Sequence, residues 1–198
     1  MSDVVVKEKD QRRQIIETAE RLFRQIGYQK TTVADIAREL RMSPGNVYRF
    51  FGSKSEINGA VARQLMGEVE EAVEQIAFEI GSASERLRAF IRTMEAMNAE
   101  RYISDRKLHD MVESALNENW PICKQHIELL AGSMARIIAD GMASGEFAPG
   151  DPELATKQVQ SACIRYCHPR LMVECADKPG PTVDQMVDFC LAALRAKP

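Results

Sequence analysis

The sequence has no run approaching the roughly 18 consecutive apolar residues that a membrane-spanning helix needs. Its opening, MSDVVVKEKDQRR, turns charged before the core of a signal peptide could form. Neither a membrane span nor a secretory leader is expected, and a cytoplasmic location follows as the default. Cysteines are few and badly placed for stapling. Cys123, Cys163, Cys167, Cys175 and Cys190 are odd in number, lie in the second half of the chain and show no framework spacing, so reduced thiols are expected. Alternation of β-branched residues between turn residues is almost absent, which argues against a sheet. Also missing are a nucleophile-base signature, a phosphate-cradling glycine-rich loop and an HExxH pattern. An enzyme is therefore not expected, nor any cofactor. No repeat or low-complexity tract appears.

What is present is an ordinary globular composition, 45% hydrophobic and 28% charged, with charge spread unevenly. The net charge of -3 argues at first against nucleic acid, but residues 1–60 carry a surplus of three basic side chains and the remainder a deficit of six. A weakly basic head on an acidic body suits a module that meets DNA and a larger part that does not.

The apolar periodicity is helical throughout. Ile15, Ile16, Ala19, Leu22, Phe23 and Ile26 place a first amphipathic helix over 8–26, stopped by Gly27. Thr32 caps a second helix over 33–40, with Val33, Ile36, Ala37 and Leu40 inward and Asp35 near the positive end of the dipole. Ser43 caps a third, with Pro44 in its first turn, running through Val47 and Tyr48 to Phe51. Ser53 and Glu56 form a capping-box pair opening a long helix over 54–80, whose stripe is Ile57, Ala60, Val61, Leu65, Val69, Val73, Ile76 and Ile80. Further helices are predicted over 84–98, 103–116, 121–144, 152–166 and 183–195, with breaks at Gly145, Pro149-Gly150, Pro169 and Pro179-Gly180-Pro181. The fold class is all-α. A domain boundary falls near residue 55, dividing 1–55 from 56–198, and the long fourth helix can belong to both parts.

Two short helices joined by Arg41, Met42 and Ser43, with a preceding helix to pack on, form a helix-turn-helix whose second member can enter a major groove. Ser43, Asn46, Tyr48 and Arg49 crowd that helix and Lys54 opens the next. Hydroxyls and helix N-termini bind phosphate, Lys and Arg neutralise it, and Arg or Asn can pair with a guanine or adenine edge. The segment TTVADIARELRMSPGNVYRFFGSKSEI closely resembles the DNA-binding signature of the tetracycline-repressor (TetR) family, and the preceding RQIIETAERLFRQIGYQKT fits the family's first helix. The resemblance implies a dimeric repressor of double-stranded operator DNA, released when a small-molecule effector binds the C-terminal body and the two reading heads move apart. Carried over by position, Thr32, Tyr48 and Lys54 are expected at phosphates. Ser43, Pro44, Gly45, Asn46 and Arg49 are expected at the groove, with Asn46 and Arg49 reading bases. Val33, Ile36, Ala37, Leu40, Val47 and Phe50 would form the small core, with Phe51 the uncertain member. The family commonly has glycine where this chain has Arg41. Either Arg41 accepts a left-handed backbone or the turn differs, and its side chain either meets phosphate or is simply solvated.

The body carries no family motif. The resemblance implies a ligand cavity among the fourth to eighth helices, and Met94, Met97, Tyr102, Met111, Trp120 and Met134 are the expected lining residues there; a thioether on a flexible chain repacks around varied ligands, although Met at helical spacing also suits ordinary core. His109 and His126 are potential polar handles there. Cys163, Cys167 and His168 invite a metal or redox reading, because positions four apart share a helix face and Cys175 can fold back towards them, yet a closed zinc site wants four convergent ligands, and no metal is expected. The apolar faces of the last two helices, including Val159, Ala162, Tyr166, Met186, Phe189 and Cys190, fit either the four-helix homodimer interface that the resemblance implies or packing within one chain; a two-fold dimer would set two recognition helices roughly 34–36 Å apart, or at a related spacing, on an approximately palindromic site. Two alternatives stay open: a helical small-molecule-binding protein whose head is unused, and an activator instead of a repressor. If the assigned roles hold, Tyr48→Phe and Lys54→Ala each weaken binding to all DNA sequences, whereas Arg49→Ala changes which operator is preferred. Unchanged binding by all three variants in a gel-shift titration would overturn the assignment.

Overall fold

The computed structural model describes residues 2–118 and 120–195, excluding the side chains of residues 2–4 and 120. Among these residues the chain forms helices α1 (Ser2–Ile26), α2 (Val33–Glu39), α3 (Pro44–Tyr48), α4 (Lys54–Phe78), α5 (Ala83–Tyr102), α6 (Arg106–Glu118), α7 (Trp120–Ala143), α8 (Pro152–Cys167), α9 (Pro169–Cys175) and α10 (Val183–Leu194). It divides into two compact units. One holds α1 to α3, α4 as far as Leu65, and the segment from Asp105 to Ile122; the other holds Met66–Ser104 and the residues from Cys123 onward.

In the first unit α1 packs on α2 and α6, and α2 on α3. Ile15, Ala19 and Phe23 are buried on α1, Val33, Ile36 and Ala37 on α2, and Leu108, Met111 and Ala115 on α6, the three- and four-residue steps of amphipathic helices. The inward residue after α3 is Phe51, which is buried, while Phe50 and Leu40 are only half-buried. This reverses the expected ranking of the two phenylalanines. Helix α3 ends at Tyr48, so the chain has left the helical register before Phe50 and turns Phe51 inward, under the guanidinium of Arg12 at 4.6 Å from its ring centroid.

The loop between α1 and α2 is organised around one cation. Lys54, at the start of α4, donates from Nζ to the carbonyls of Tyr28 at 3.0 Å, Thr31 at 3.1 Å and Gln29 at 3.4 Å. The same ammonium lies 4.4 Å from the ring centroid of Tyr28. That ring meets Phe23 edge-on at 5.2 Å, and its hydroxyl donates to Glu118 on α6 at 3.2 Å. Burial, reinforced by Glu118, raises the Tyr28 pKa to about 12.

The second unit closes over one aliphatic core: Val69, Val73 and Ala77 from α4, Leu87, Phe90 and Ile91 from α5, Met134, Ile137 and Ile138 from α7, Val159 and Cys163 from α8, and Val187 and Leu191 from α10. The α4 stripe stops short of the expected Ile80, which lies beyond the helix end and is fully exposed. In place of further helix, buried Arg86 donates to the Ala77 carbonyl and to Asp140, both at 3.0 Å, closing the end of α4. Pro169, read from sequence as a break, occupies the first turn of the unforeseen α9, where its missing N–H costs nothing.

Glu146, in the α7–α8 connection, caps α5 from a distance. Its carboxylate accepts from the Ser82 hydroxyl at 2.6 Å, the Ala83 amide at 2.7 Å and the Ser84 amide at 2.9 Å. Next to it Phe147 is completely buried against Gly141, where even a methyl group would stand 2.3 Å from the ring. Ala148 donates to the Leu194 carbonyl at 2.7 Å, tying this connection to the end of α10.

Two measurements follow. Lys54→Ala leaves three loop carbonyls without their shared donor and costs about 2 kcal/mol, read as a lower melting temperature; an unchanged melt would remove the structural role. Burial alone would raise the Glu146 pKa, but the hydrogen bonds from Ser82, Ser84 and Ala83 prevail and hold it at about 2, below its ordinary 4.5. Its stabilisation is therefore present above pH 4.5 and is lost as pH falls towards 2. The melting-temperature gap between wild type and Glu146→Gln should be full at neutral pH and close on acidification. A gap independent of pH would refute this.

Candidate functional site

The helix-turn-helix is built by local capping. Thr32 accepts from the Asp35 amide at 3.1 Å while its own amide donates to the Asp35 carboxylate at 2.9 Å, a reciprocal capping box. The Thr32 hydroxyl proton is also taken by Asp35, at 2.6 Å. The turn is a Schellman motif: Arg41 N–H donates to the Arg38 carbonyl at 3.1 Å and Met42 N–H to the Ala37 carbonyl at 2.8 Å. Arg41 takes the left-handed position with φ 54°, the conformation glycine would adopt without strain, and its side chain is exposed. Ser43 then caps α3, accepting from the Asn46 amide at 3.2 Å, which leaves its hydroxyl proton free to donate outward.

On α3 only Val47 is buried. Pro44, Gly45, Tyr48 and Arg49 are exposed and Asn46 is half-buried, so with Arg41 and Ser43 they form one continuous outward surface. Tyr48 is 51% exposed, a large aromatic with no packing reason to be there. Thr32 is exposed at the start of α2. Lys54 is not on this surface: it is half-buried, with its ammonium held by the α1–α2 loop.

In the second unit a cavity of about 490 Å³ opens between α5, α7 and α8. Phe90, Met94, Leu130 and Met134 form its apolar wall, and Lys157, Gln160, Ser161 and His168 its polar edge. Burial pushes the His168 imidazole towards its neutral form, and its Nδ1 is buried without a hydrogen-bond partner among the described residues. Cys163 and Cys167 also line the wall. The Cys163 thiol is pushed up by a hydrogen bond with Cys190 and by burial, and burial pushes Cys167 up to about 12, so both present neutral, thiol-bearing surface. All five cysteines are free, and no group of His, Cys, Asp and Glu among the described residues is placed to hold a metal.

Of the residues singled out in the sequence, Met94 and Met134 meet in this cavity. Met97 packs against the core beside it, and Tyr102 is buried at the end of α5. Met111 is buried in the first unit, where its carbonyl accepts from Asn58, and so does not join the other methionines. The Trp120 side chain lies outside the described residues. His109 sits on α6, and His126 is engaged with Glu70 at 2.6 Å; neither lines the cavity. The polar edge is not among the sequence expectations, although it had a signal: Gln160, Ser161 and His168 follow Lys157 at three, four and eleven residues, spacings that keep them on one face of α8 and its C-cap.

The last helices separate the interface candidates. Val159 and Cys190 are buried in the chain's own core, and Ala162, Tyr166 and Met186 pack against it. Phe189 on α10 and Leu154 on α8 face outward, 67% and 54% exposed.

Comparison with known proteins gives a consistent result. Residues 15–61 match "Bacterial regulatory proteins, tetR family", and residues 83–185 match "Tetracyclin repressor-like, C-terminal domain". The HTH-type transcriptional regulator YhgD of Bacillus subtilis is 27% identical over 154 residues, 73% of this chain and 76% of that protein. The fatty acid metabolism regulator protein of the same organism is 27% identical over 151 residues, covering 74% and 76% of the two chains. A TetR/AcrR-family transcriptional regulator from Thermobifida fusca, solved by crystallography, superposes with a TM-score of 0.72 at 25% identity, over 94% of this chain and 100% of that one. A capped helix-turn-helix at one end, an all-helical C-terminal region at the other and both matches in the same order establish that this chain belongs to the TetR family of DNA-binding transcriptional regulators.

Proposed function

We propose that the protein is a homodimeric repressor that holds an approximately palindromic operator and releases it when a small molecule fills the cavity between α5, α7 and α8. The observation that carries the reading is the exposed surface of α3 and its turn. A five-residue helix with one buried side chain contributes little to folding, yet it is capped at Ser43 and displays Tyr48 and Arg49. In this reading Asn46 and Arg49 face base edges, Ser43, Pro44 and Gly45 bring the helix N-terminus close to the groove, and Thr32, Arg41 and Tyr48 meet phosphates. Lys54 contributes by holding the loop that leads into α2. Residues 1–55 act as the reading head and 56–198 as the effector-binding and dimerising part. The second copy is proposed to cover the outward faces of α8 and α10 around Leu154 and Phe189, large apolar side chains that stand in solvent on the single chain.

The cavity chemistry favours an effector with an apolar body and an anionic or hydrogen-bond-accepting end. The body would lie on Phe90, Met94, Leu130 and Met134, with its polar end at Lys157 and the vacant imidazole nitrogen of His168. Kinship with a regulator of fatty acid metabolism makes medium-chain carboxylates the first compounds to try. The test is a titration of the purified protein against fragments of its own promoter region at several salt concentrations, repeated with these acids present. Selective, salt-sensitive binding that the acids weaken, and that Lys157→Gln makes less responsive to the acids than to neutral analogues of equal length, is the expected result. Absence of selective binding to any fragment would overturn the repressor reading.

A further inference from the structure

The helix α1 begins well before the part of the chain that matches the family, which starts at residue 15. Its early turns are not a free arm: Val5, Glu8, Lys9 and Arg12, spaced along one helical face, line a groove of about 280 Å³ together with Arg49 and Phe50. Arg12 is anchored there, its guanidinium over the ring of buried Phe51. The groove therefore adjoins the residue that ends α3, and it carries three cations, Lys9, Arg12 and Arg49, against the single carboxylate of Glu8. Neither Lys9 nor Arg12 has a carboxylate partner among the described residues, whereas Arg13, on the neighbouring face, is paired with Asp10 at 3.6 Å and Glu17 at 3.8 Å. Lys7 points to the other side of the helix.

We propose that the early turns of α1 form an accessory clamp on the DNA backbone, with Lys9 and Arg12 contacting phosphates at the edge of the stretch read by α3. This rests on the reading of α3 as the DNA-reading helix. The clamp is continuous with that surface through Arg49, its charge is complementary to phosphate, and its cations are left available by the local ion pairing. Helix α3 is too short to fix its own orientation on a duplex. Backbone contacts from a second, rigid helix supply register without reading sequence.

Salt dependence separates this contact from base reading. With the full-length protein and a selectively bound promoter fragment, log K falls with log salt by about 0.9 for each phosphate neutralised. Lys9→Ala with Arg12→Ala should weaken specific and non-specific DNA equally and reduce that slope by about 0.9 for each cation removed. Glu8→Gln should strengthen both, and Lys7→Ala should leave the slope closer to wild type. Lys9→Glu alone, at an exposed position, guards against a folding defect from loss of the Arg12 contact and should weaken binding at an unchanged melting temperature. Selective binding by the wild type with an unaltered slope and affinity in the double variant overturns the clamp while leaving α3 as reader. A wild type that binds no DNA selectively overturns both.

Discussion

One ammonium group holds the reading head in its shape. Helices of seven and five residues are below the length at which a helix sustains itself in water, so α2 and α3 exist only because neighbours fix them. The neighbour that matters most is the loop after α1, where the carbonyls of Tyr28, Gln29 and Thr31 converge without a backbone donor able to serve all of them. Lys54 satisfies that convergence and adds contact with the Tyr28 ring, and Tyr28 in turn reaches Phe23 and Glu118. The first turn of α4 is thus fastened to the entrance of α2. A lysine that looks from sequence like a surface charge for DNA is consumed in building the surface that other residues present.

What sequence made legible was local. The stops and starts at Gly27, Thr32, Ser43 and Pro44 are matters of one side chain and the backbone within three residues, and they fall where patterning put them. The family likeness was legible for the same reason, since it lay in a contiguous stretch. Errors arose where the answer depended on chain direction after a helix ended. Phe50 and Phe51 exchanged roles because α3 stopped three residues early, and Ile80 left the α4 stripe because the helix stopped at Phe78.

The cavity was the least legible feature, because it depends on which faces of three helices converge. Met94 and Met134 meet there, but an equally suitable methionine, Met111, belongs to a helix packed in the other unit. Periodicity gives the face of each helix and says nothing of its partner. The polar edge on α8 could have been found by treating a polar stripe with the same seriousness as an apolar one. Likewise Val159 and Cys190 lie on apolar faces that the single chain itself covers, while Phe189, beside Cys190 in sequence, points the other way.

The remote cap made by Glu146 has a mechanical consequence. It pins the beginning of α5 to the connection just after α7, so the two helices that form the cavity's apolar wall share a fixed end. At 1.5 Å per residue the wall lies about 10–20 Å from that pin, and the opposite ends of α5 and α7 lie about 30–35 Å from it. A wedge that parts the wall by a given amount displaces those ends by roughly twice as much, as a pair of tongs opens wider at the tips than at the middle. Wherever the pin is loosened, the same wedge spreads the helices near Ala83 instead, and their far ends travel less for the same displacement at the wall.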